Sequence, residues 1–449
     1  MAKQIFYEMG SSMVQRLRFR ASWYFVGHRE LAAYSPFEDL NIPSGNTWAK
    51  PIRKSICLPK KLESWRGRAS VSYLRPYNLP RRHFCMKHDQ HGNFCSESEV
   101  DKPIHPRALS DPKRKEDPVF KMPIVVAAGL STDSLRMCLE SLMEQEGLNT
   151  QMVVVVYDKE YPENAELSSL FKIKSLPVHA TNGYSSVLLS ALSAAFDLFP
   201  SSPTMAVIEE DVKLSPDWLY YLSQASPVLL VDKNIGIVQT FNPNGFIDTS
   251  GDSSLVYRIT NQPPLFSYVI TRKKYEMDIK NNSECCGIPG RWALNTSFSL
   301  VPDVSRITVA HSSFNAAHWT KLLFNRPRST CQHSVVLGDS FLTEYVYENS
   351  IKSIIKTAPK LPLDTIDCDM WQRQITAFAI MSKSKSVVVN YQSEVMSLTF
   401  ASRCFDLYFD ELFMSGLYKQ VIRFLANNTA VFIVPEALLT SKWINSSID

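Results

Sequence analysis

From residue 122 onward the chain alternates between two textures. Pro123–Ala128, Met152–Asp158 and Met205–Ile208 are short runs of nearly continuous apolar residues. Between them, Thr132–Gln145 and Ser185–Phe199 carry apolar residues every three or four positions. Strands apolar on both faces need cover on both faces, and helical crossovers between them favour parallel pairing. The pattern therefore predicts an α/β fold with a mostly parallel central sheet. A further helix is expected near Ser215-Pro216-Asp217-Trp218, with Trp218 in the core. Ligands of such sheets bind outside the carboxyl ends of the strands, which fixes where chemistry is to be sought.

The flanking regions read differently. In residues 1–45, Met9–Leu17 has helical spacing, Trp23–Val26 is strand-like and Ser35-Pro36-Phe37-Glu38 resembles a helix start. Residues 46–121 are rich in Pro, Lys and Arg with poor periodicity, as expected of a linker wrapped on a neighbour; its charge run Lys113–Glu116 reads as solvated. Residues 122–368 form the α/β unit. In residues 369–449, Met370–Met381 and Ala401–Met414 look helical and Thr429–Ile433 strand-like, with no function assigned.

Two of the apolar strands end in acid. One ends in Tyr157-Asp158, the other in Glu209-Glu210-Asp211. Adjacent carboxylates after a buried strand repel one another and resist desolvation. A divalent cation resolves this, and hard oxygen donors suit Mg2+ or Mn2+ shared with a substrate's phosphates. A solvated turn capping the next helix is the competing explanation.

The 449 residues carry 48 basic and 44 acidic side chains, a formal charge of +4. That balance excludes nucleic-acid binding by bulk charge. No run approaches the ~20 apolar residues of a membrane span. Met1–Phe6 has neither a basic n-region nor an apolar h-region, and Trp23–Gly27 already reads as a strand entering a turn. The chain is therefore expected to begin inside a domain, with targeting information upstream. Among nine cysteines, Cys85 and Cys95 flank a polar loop and suit a disulfide; a zinc site recruiting His83, His88 and His91 is the alternative. Sequons at Asn281, Asn295, Asn427 and Asn445 add weak support for a secretory route.

Ala206–Val212 followed by Pro216-Asp217-Trp218 resembles the metal-binding motif of the β-1,2-N-acetylglucosaminyltransferases, a GT-A family. Further likenesses follow in order: Pro123–Val126 with Leu135–Leu142, Phe196–Pro200, Leu255-Val256-Tyr257-Arg258 and Pro302-Asp303-Val304-Ser305-Arg306. Upstream, Met9–Arg20, Trp23–Gly27 and Ser35–Glu38 look like the end of an interleukin-like stem domain, and Arg81–Cys95 resembles the linker after it. That combination is similar to the branch of the family acting on O-linked mannose, whose members are Golgi type II membrane enzymes.

The resemblance implies inverting transfer of GlcNAc from UDP-GlcNAc, with Mn2+, to O-mannosylated glycoprotein in the Golgi lumen. The enzyme would be anchored by a segment absent from this chain. It implies Asp211 as metal ligand, Glu209 and Glu210 as contacts to the donor's ribose or sugar, and Asp158 as the acid that meets uracil. The family's catalytic base, an aspartate, aligns with Cys285, leaving the neighbouring Glu284 as the candidate. The family's arginine after the first strand is replaced by Ala128-Gly129-Leu130-Ser131, its histidine in the second helix falls near Val187, and its Trp-Asn segment reads Phe241–Gly245. A homologue that binds the nucleotide sugar without turnover is the alternative. His311 and His318 are expected to be packed or surface residues, and Cys285-Cys286 to form disulfides.

Overall fold

Every residue of Ile124–Ala127 (β1) and Val153–Asp158 (β2) is buried, as continuous apolar runs require. The computed structural model describes residues 78–88, 91–129, 131–180, 184–209, 211–260, 264–282, 298–309, 326–392, 395–408 and 416–445. All lie in the compact unit Arg75–Asp449. The expectations for residues 1–45, Glu210, Glu284, Cys285-Cys286, His311 and His318 fall outside the described residues.

β1 lies between β2 and Thr204–Glu209 (β4), parallel to both, and β2 pairs in parallel with Lys174–Val178 (β3). Beyond β4 come Ser267–Thr271 (β8), Ile235–Gln239 (β6), Phe298–Pro302 (β9) and Val256–Thr260 (β7). The sheet order is β3-β2-β1-β4-β8-β6-β9-β7, with β8 and β7 running against the rest. The fold is thus mixed α/β with a large, mostly parallel sheet, as expected. Alternate side chains enter different layers. Val125, Val154, Val156 and Val207 pack with Leu188, Ala191 and Leu192 of the Tyr184–Leu198 helix. Ile124, Val126, Val155 and Ile208 share a core with Leu135 and Leu139 of the Thr132–Met143 helix and Trp218 of the Trp218–Ala225 helix.

The Thr132–Met143 helix begins where the periodicity places it, because the Ser131 side chain accepts from Ser134 N at 3.2 Å. It ends two residues before Gln145, and the chain then turns at Gly147, whose φ is +78°. Glycine is required there twice over, since an added Cβ would lie 2.7 Å from the Phe120 ring.

From residue 78 the expected linker is more structured than its periodicity suggests. Leu79–Lys87 is a helix, begun by Pro80 in its first turn and capped by Asn78, which accepts from Arg81 N at 3.2 Å. Only a few apolar side chains, among them Phe84, Phe94 and Val119, anchor the segment in the core, too few to generate a period. Arg81 is buried and donates to Phe94 O at 2.7 Å and Lys102 O at 3.1 Å. Cys85 and Cys95 form a disulfide. That removes the zinc alternative, and His88 instead pairs with Glu166 at 3.1 Å.

A second sheet, order β11-β12-β15-β14-β13, comprises Lys360–Pro362 (β11), Ser386–Tyr391 (β12), Leu417–Tyr418 (β13), Val421–Ala426 (β14) and Thr429–Pro435 (β15). It begins at Lys360, upstream of the boundary expected at 368, and has its own core around Trp371, Ile375, Val389 and Phe424. Of the helix expected at 401–414, residues 401–404 are helical as the end of Val395–Cys404, Asp406, at φ +52°, carries the chain away from it, and residues 409–414 lie outside the described residues; Cys404 is bonded to Cys368. Asn427 and Asn428, both at positive φ, make the tight turn joining β14 to β15. No helix among the described residues is long and apolar enough to cross a membrane.

Candidate functional site

The two acid-tipped strands flank β1. Val156, Ala127 and Glu209 stand in register across β2, β1 and β4, and Asp158 lies two residues beyond Val156. Two strand spacings separate β2 from β4, about 10 Å. Strand alternation puts Asp158 with Val154 and Val156, and Glu209 with Met205 and Val207, on the face covered by the Tyr184–Leu198 helix. Between them β1 ends in the small buried residues Ala127-Ala128-Gly129. Both acids therefore stand at the carboxyl edge on one face of the sheet, on the two strands that flank β1, whose described end is made of small residues.

Asp158 is buried and its Oδ1 accepts from Glu160 N at 3.2 Å, so the turn after β2 is held by the same carboxylate. Glu209 accepts from Phe266 N at 3.2 Å through Oε1, while Glu209 N donates to Phe266 O at 2.8 Å. Phe266 has φ +60°, a costly conformation for a bulky side chain, and these reciprocal bonds help to hold it. One oxygen of Glu209 is thus committed to the start of β8. Burial, with the Glu209 charge nearby, pushes the Tyr268 phenol pKa well above its ordinary value.

Asp211 is half-buried and its Oδ1 is shielded from solvent. It opens directly into Val212–Leu214 (β5), which leaves the main sheet and pairs antiparallel with Ile307–Val309 (β10). No three His, Cys, Asp or Glu side chains converge to hold a metal among the described residues, so these residues form no closed protein cage. The hard carboxylate oxygens of Asp211 nevertheless suit a divalent ion whose coordination is completed by phosphate and water.

The motif Pro302–Arg306 plays a structural part. Asp303 is fully buried, accepting from Gly251 N at 2.7 Å, Asp252 N at 2.8 Å and the Tyr257 hydroxyl; burial raises its pKa against those bonds. Arg306, fully buried, pairs through Nε with Asp217 at 2.7 Å. Arg258 of the other matched motif donates to Phe341 O at 2.9 Å and pairs with Asp232 at 2.7 Å. In the 241–245 segment, Asn242 Nδ2 donates to Asp303 O at 2.8 Å. Trp218 is core, as expected, its indole N–H donating to Ser267 Oγ at 3.1 Å. Two residues escaped the sequence reading, Ser141 and Gln145. Both are buried and hold the backbone that follows the acidic turn. Their only signal is polarity at the end of an amphipathic helix, which solvent exposure would explain equally well.

A cavity of about 550 Å³ lies elsewhere, in the unit of the second sheet, beside Cys368, Trp371, Arg373, Arg403 and Cys404. Its lining mixes these arginines with Asp369 and Asp406.

No protein-family model matches the chain. Among curated proteins it is similar to human Protein FAM3D, 35% identical over 65 residues, covering 13% of this chain and 29% of that protein. Mouse Protein FAM3D is 37% identical over 65 residues. The chain thus spans under a third of the length of the curated relatives it matches. Among solved structures, S. aureus TarS 1–349 in complex with UDP-GlcNAc has a TM-score of 0.31 at 12% identity, covering 59% of this chain and 74% of that one. Mannose-1-phosphate geranyltransferase from Thermus thermophilus has a TM-score of 0.30 at 12% identity, with coverage of 60% and 87%. Glucosyl-3-phosphoglycerate synthase from Mycobacterium tuberculosis, in complex with Mg2+ and uridine-diphosphate, has a TM-score of 0.24 at 15% identity, with coverage of 37% and 64%. These likenesses are too distant to assign an activity.

Proposed function

We propose that this chain is a GT-A-type nucleotide-sugar transferase that moves GlcNAc from UDP-GlcNAc to O-linked mannose on glycoproteins, with inversion, in the Golgi lumen. The observation that carries the proposal is the pair of acid-tipped parallel strands, β2 and β4, which flank β1 and carry Asp158 and Glu209 on one face of the sheet. The five motif likenesses, found in family order along this sheet, support it.

In this proposal Asp158 accepts a hydrogen bond from the uracil N–H, and Glu209 and Glu210 line the ribose and sugar. Asp211 would hold Mn2+, which when bound supplies positive charge for the leaving diphosphate. Glu284 takes the proton of the acceptor hydroxyl as its oxygen attacks the anomeric carbon opposite the diphosphate, which inverts the configuration.

Titration of the full chain with UDP, with and without Mn2+, tests the donor site. Mn2+ is expected to tighten UDP binding, and Asp211→Asn to remove at least a tenfold share of that gain. Transfer to an O-mannosyl peptide is expected to fall by about 10²–10⁴ in Glu284→Gln. Mn2+-dependent UDP binding without transfer would instead identify a donor-binding homologue. Absence of UDP binding refutes both.

A further inference from the structure

β5 and β10 make a two-stranded ladder of only three residue pairs, Val212↔Val309, Lys213↔Thr308 and Leu214↔Ile307. So short a ribbon does not hold its own direction. Yet β5 starts at the residue after Asp211, so its direction constrains the backbone that carries that carboxylate. Buried polar groups take hold just downstream. Leu214 N donates to Ser141 Oγ at 3.0 Å. Ser215 N donates to Arg306 O at 2.9 Å, and Ser215 Oγ lies 2.7 Å from Asp217 Oδ1. Asp217 is paired with Arg306, and Arg306 N donates to Thr240 O at the end of β6 at 2.7 Å. Both members of the ion pair are essentially inaccessible, at 1% and 0% side-chain exposure.

A fully buried ion pair is a poor source of stability, because the desolvation of both charges consumes most of their attraction. Apolar side chains of similar volume would fill the space as well. They would, however, remove the Asp217 acceptor of the Ser215 hydroxyl and the charge contact that ties this turn to Arg306 at the start of β10. Resting on the donor site proposed above, we infer that Asp217 and Arg306, with Ser141, are positioning residues that aim the Asp211 carboxylate at its cation. Glu209 and Phe266 hold the other end of the same turn.

The test uses the full chain, the double variant Asp217→Leu/Arg306→Met and, as the milder perturbation, Ser141→Ala. Three quantities are measured: Mn2+ affinity with UDP present, from the spin-resonance signal of free Mn2+; UDP affinity without metal; and amide hydrogen exchange over residues 211–215. The double variant is expected to lose about 10–100-fold in Mn2+ affinity, the range found when groups that orient metal ligands are removed. Exchange over 211–215 should speed up at least tenfold while metal-free UDP affinity stays within twofold. Ser141→Ala should move the same two quantities in the same direction by less, and it carries the test should the double variant not fold. Unchanged Mn2+ affinity in a folded variant overturns the inference alone, and so does an equal loss of metal-free UDP affinity, which would mark a general structural role. A wild-type chain that binds no Mn2+ overturns the donor site itself and this role with it.

Discussion

Gln145 offers a sharp test of the idea that buried polar groups hold the acidic turn. Its side chain is completely buried. Nε2 donates to Ser141 O and to Ser215 O, each at 3.0 Å, and Oε1 accepts from Leu219 N at 3.0 Å. Gln145→Met keeps the length and nearly the volume while removing every one of these bonds. Three buried backbone groups, Ser141 O, Ser215 O and Leu219 N, then lose the contacts that Gln145 makes to them. At about 1–3 kcal/mol for each group left unsatisfied, the expected loss is roughly 3–9 kcal/mol, reduced somewhat by the apolar gain of methionine. With a urea slope near 3 kcal/mol/M, the unfolding midpoint of the unit should fall by about 1–3 M. The assay is urea unfolding followed by tryptophan fluorescence, which Trp218 reports from the adjoining helix. The exposed Gln151 serves as control, and Gln151→Met should change stability by less than about 0.5 kcal/mol. A loss below about 0.5 kcal/mol for Gln145→Met would show that these bonds do not hold the turn.

Other expectations concern regions away from the acids. Cys368→Ser with Cys404→Ser opens a loop with a sequence separation of 36, and chain entropy puts the loss at about 4 kcal/mol; thermal unfolding with and without reductant checks it. His91 is buried beside Phe84, and burial lowers its pKa, partly opposed by the Asp133 carboxylate. The unfolded chain therefore takes up a proton at this residue before the folded one does as pH falls. Its stability contribution is complete above a pH of about 6.5 and is lost below it. Melting temperature should decline from pH 7.5 to 5.5, and less steeply in His91→Phe; an equal decline in both assigns the effect to other groups. Arg258→Met leaves Asp232 and the Phe341 carbonyl without the bonds it gave them at 2.7 and 2.9 Å, and should cost about 3–5 kcal/mol in urea unfolding.

Much of the parallel sheet is legible along the chain because a strand buried on both faces has to be apolar at every position. β1, β2 and β4 satisfy that locally, whatever their neighbours are. The acids at their ends follow from the same runs, so Asp158, Glu209 and Asp211 can be placed at strand ends without coordinates, whereas the position of β1 between β2 and β4 cannot. The helix at Leu79–Lys87 is not legible, since a surface segment pinned by a disulfide and a few apolar side chains needs no period. The second sheet is legible only in part: Thr429–Ile433 reads as a strand, but β14 carries Arg423 among its apolar residues and gains its identity from β15.

What the amino-acid order determined by itself is therefore the layer of apolar strands and helices and the place where charge meets its edge, because burial of a continuous run is a local property of composition. Tertiary structure alone decided which polar side chains are buried. Gln145 meets Ser215, Ser141 meets Leu214 and Ser215 meets Arg306 across 70, 73 and 91 residues of chain. A glutamine or arginine looks the same in the sequence whether water or a distant carbonyl satisfies it, and only the packing of remote segments brings that carbonyl within reach.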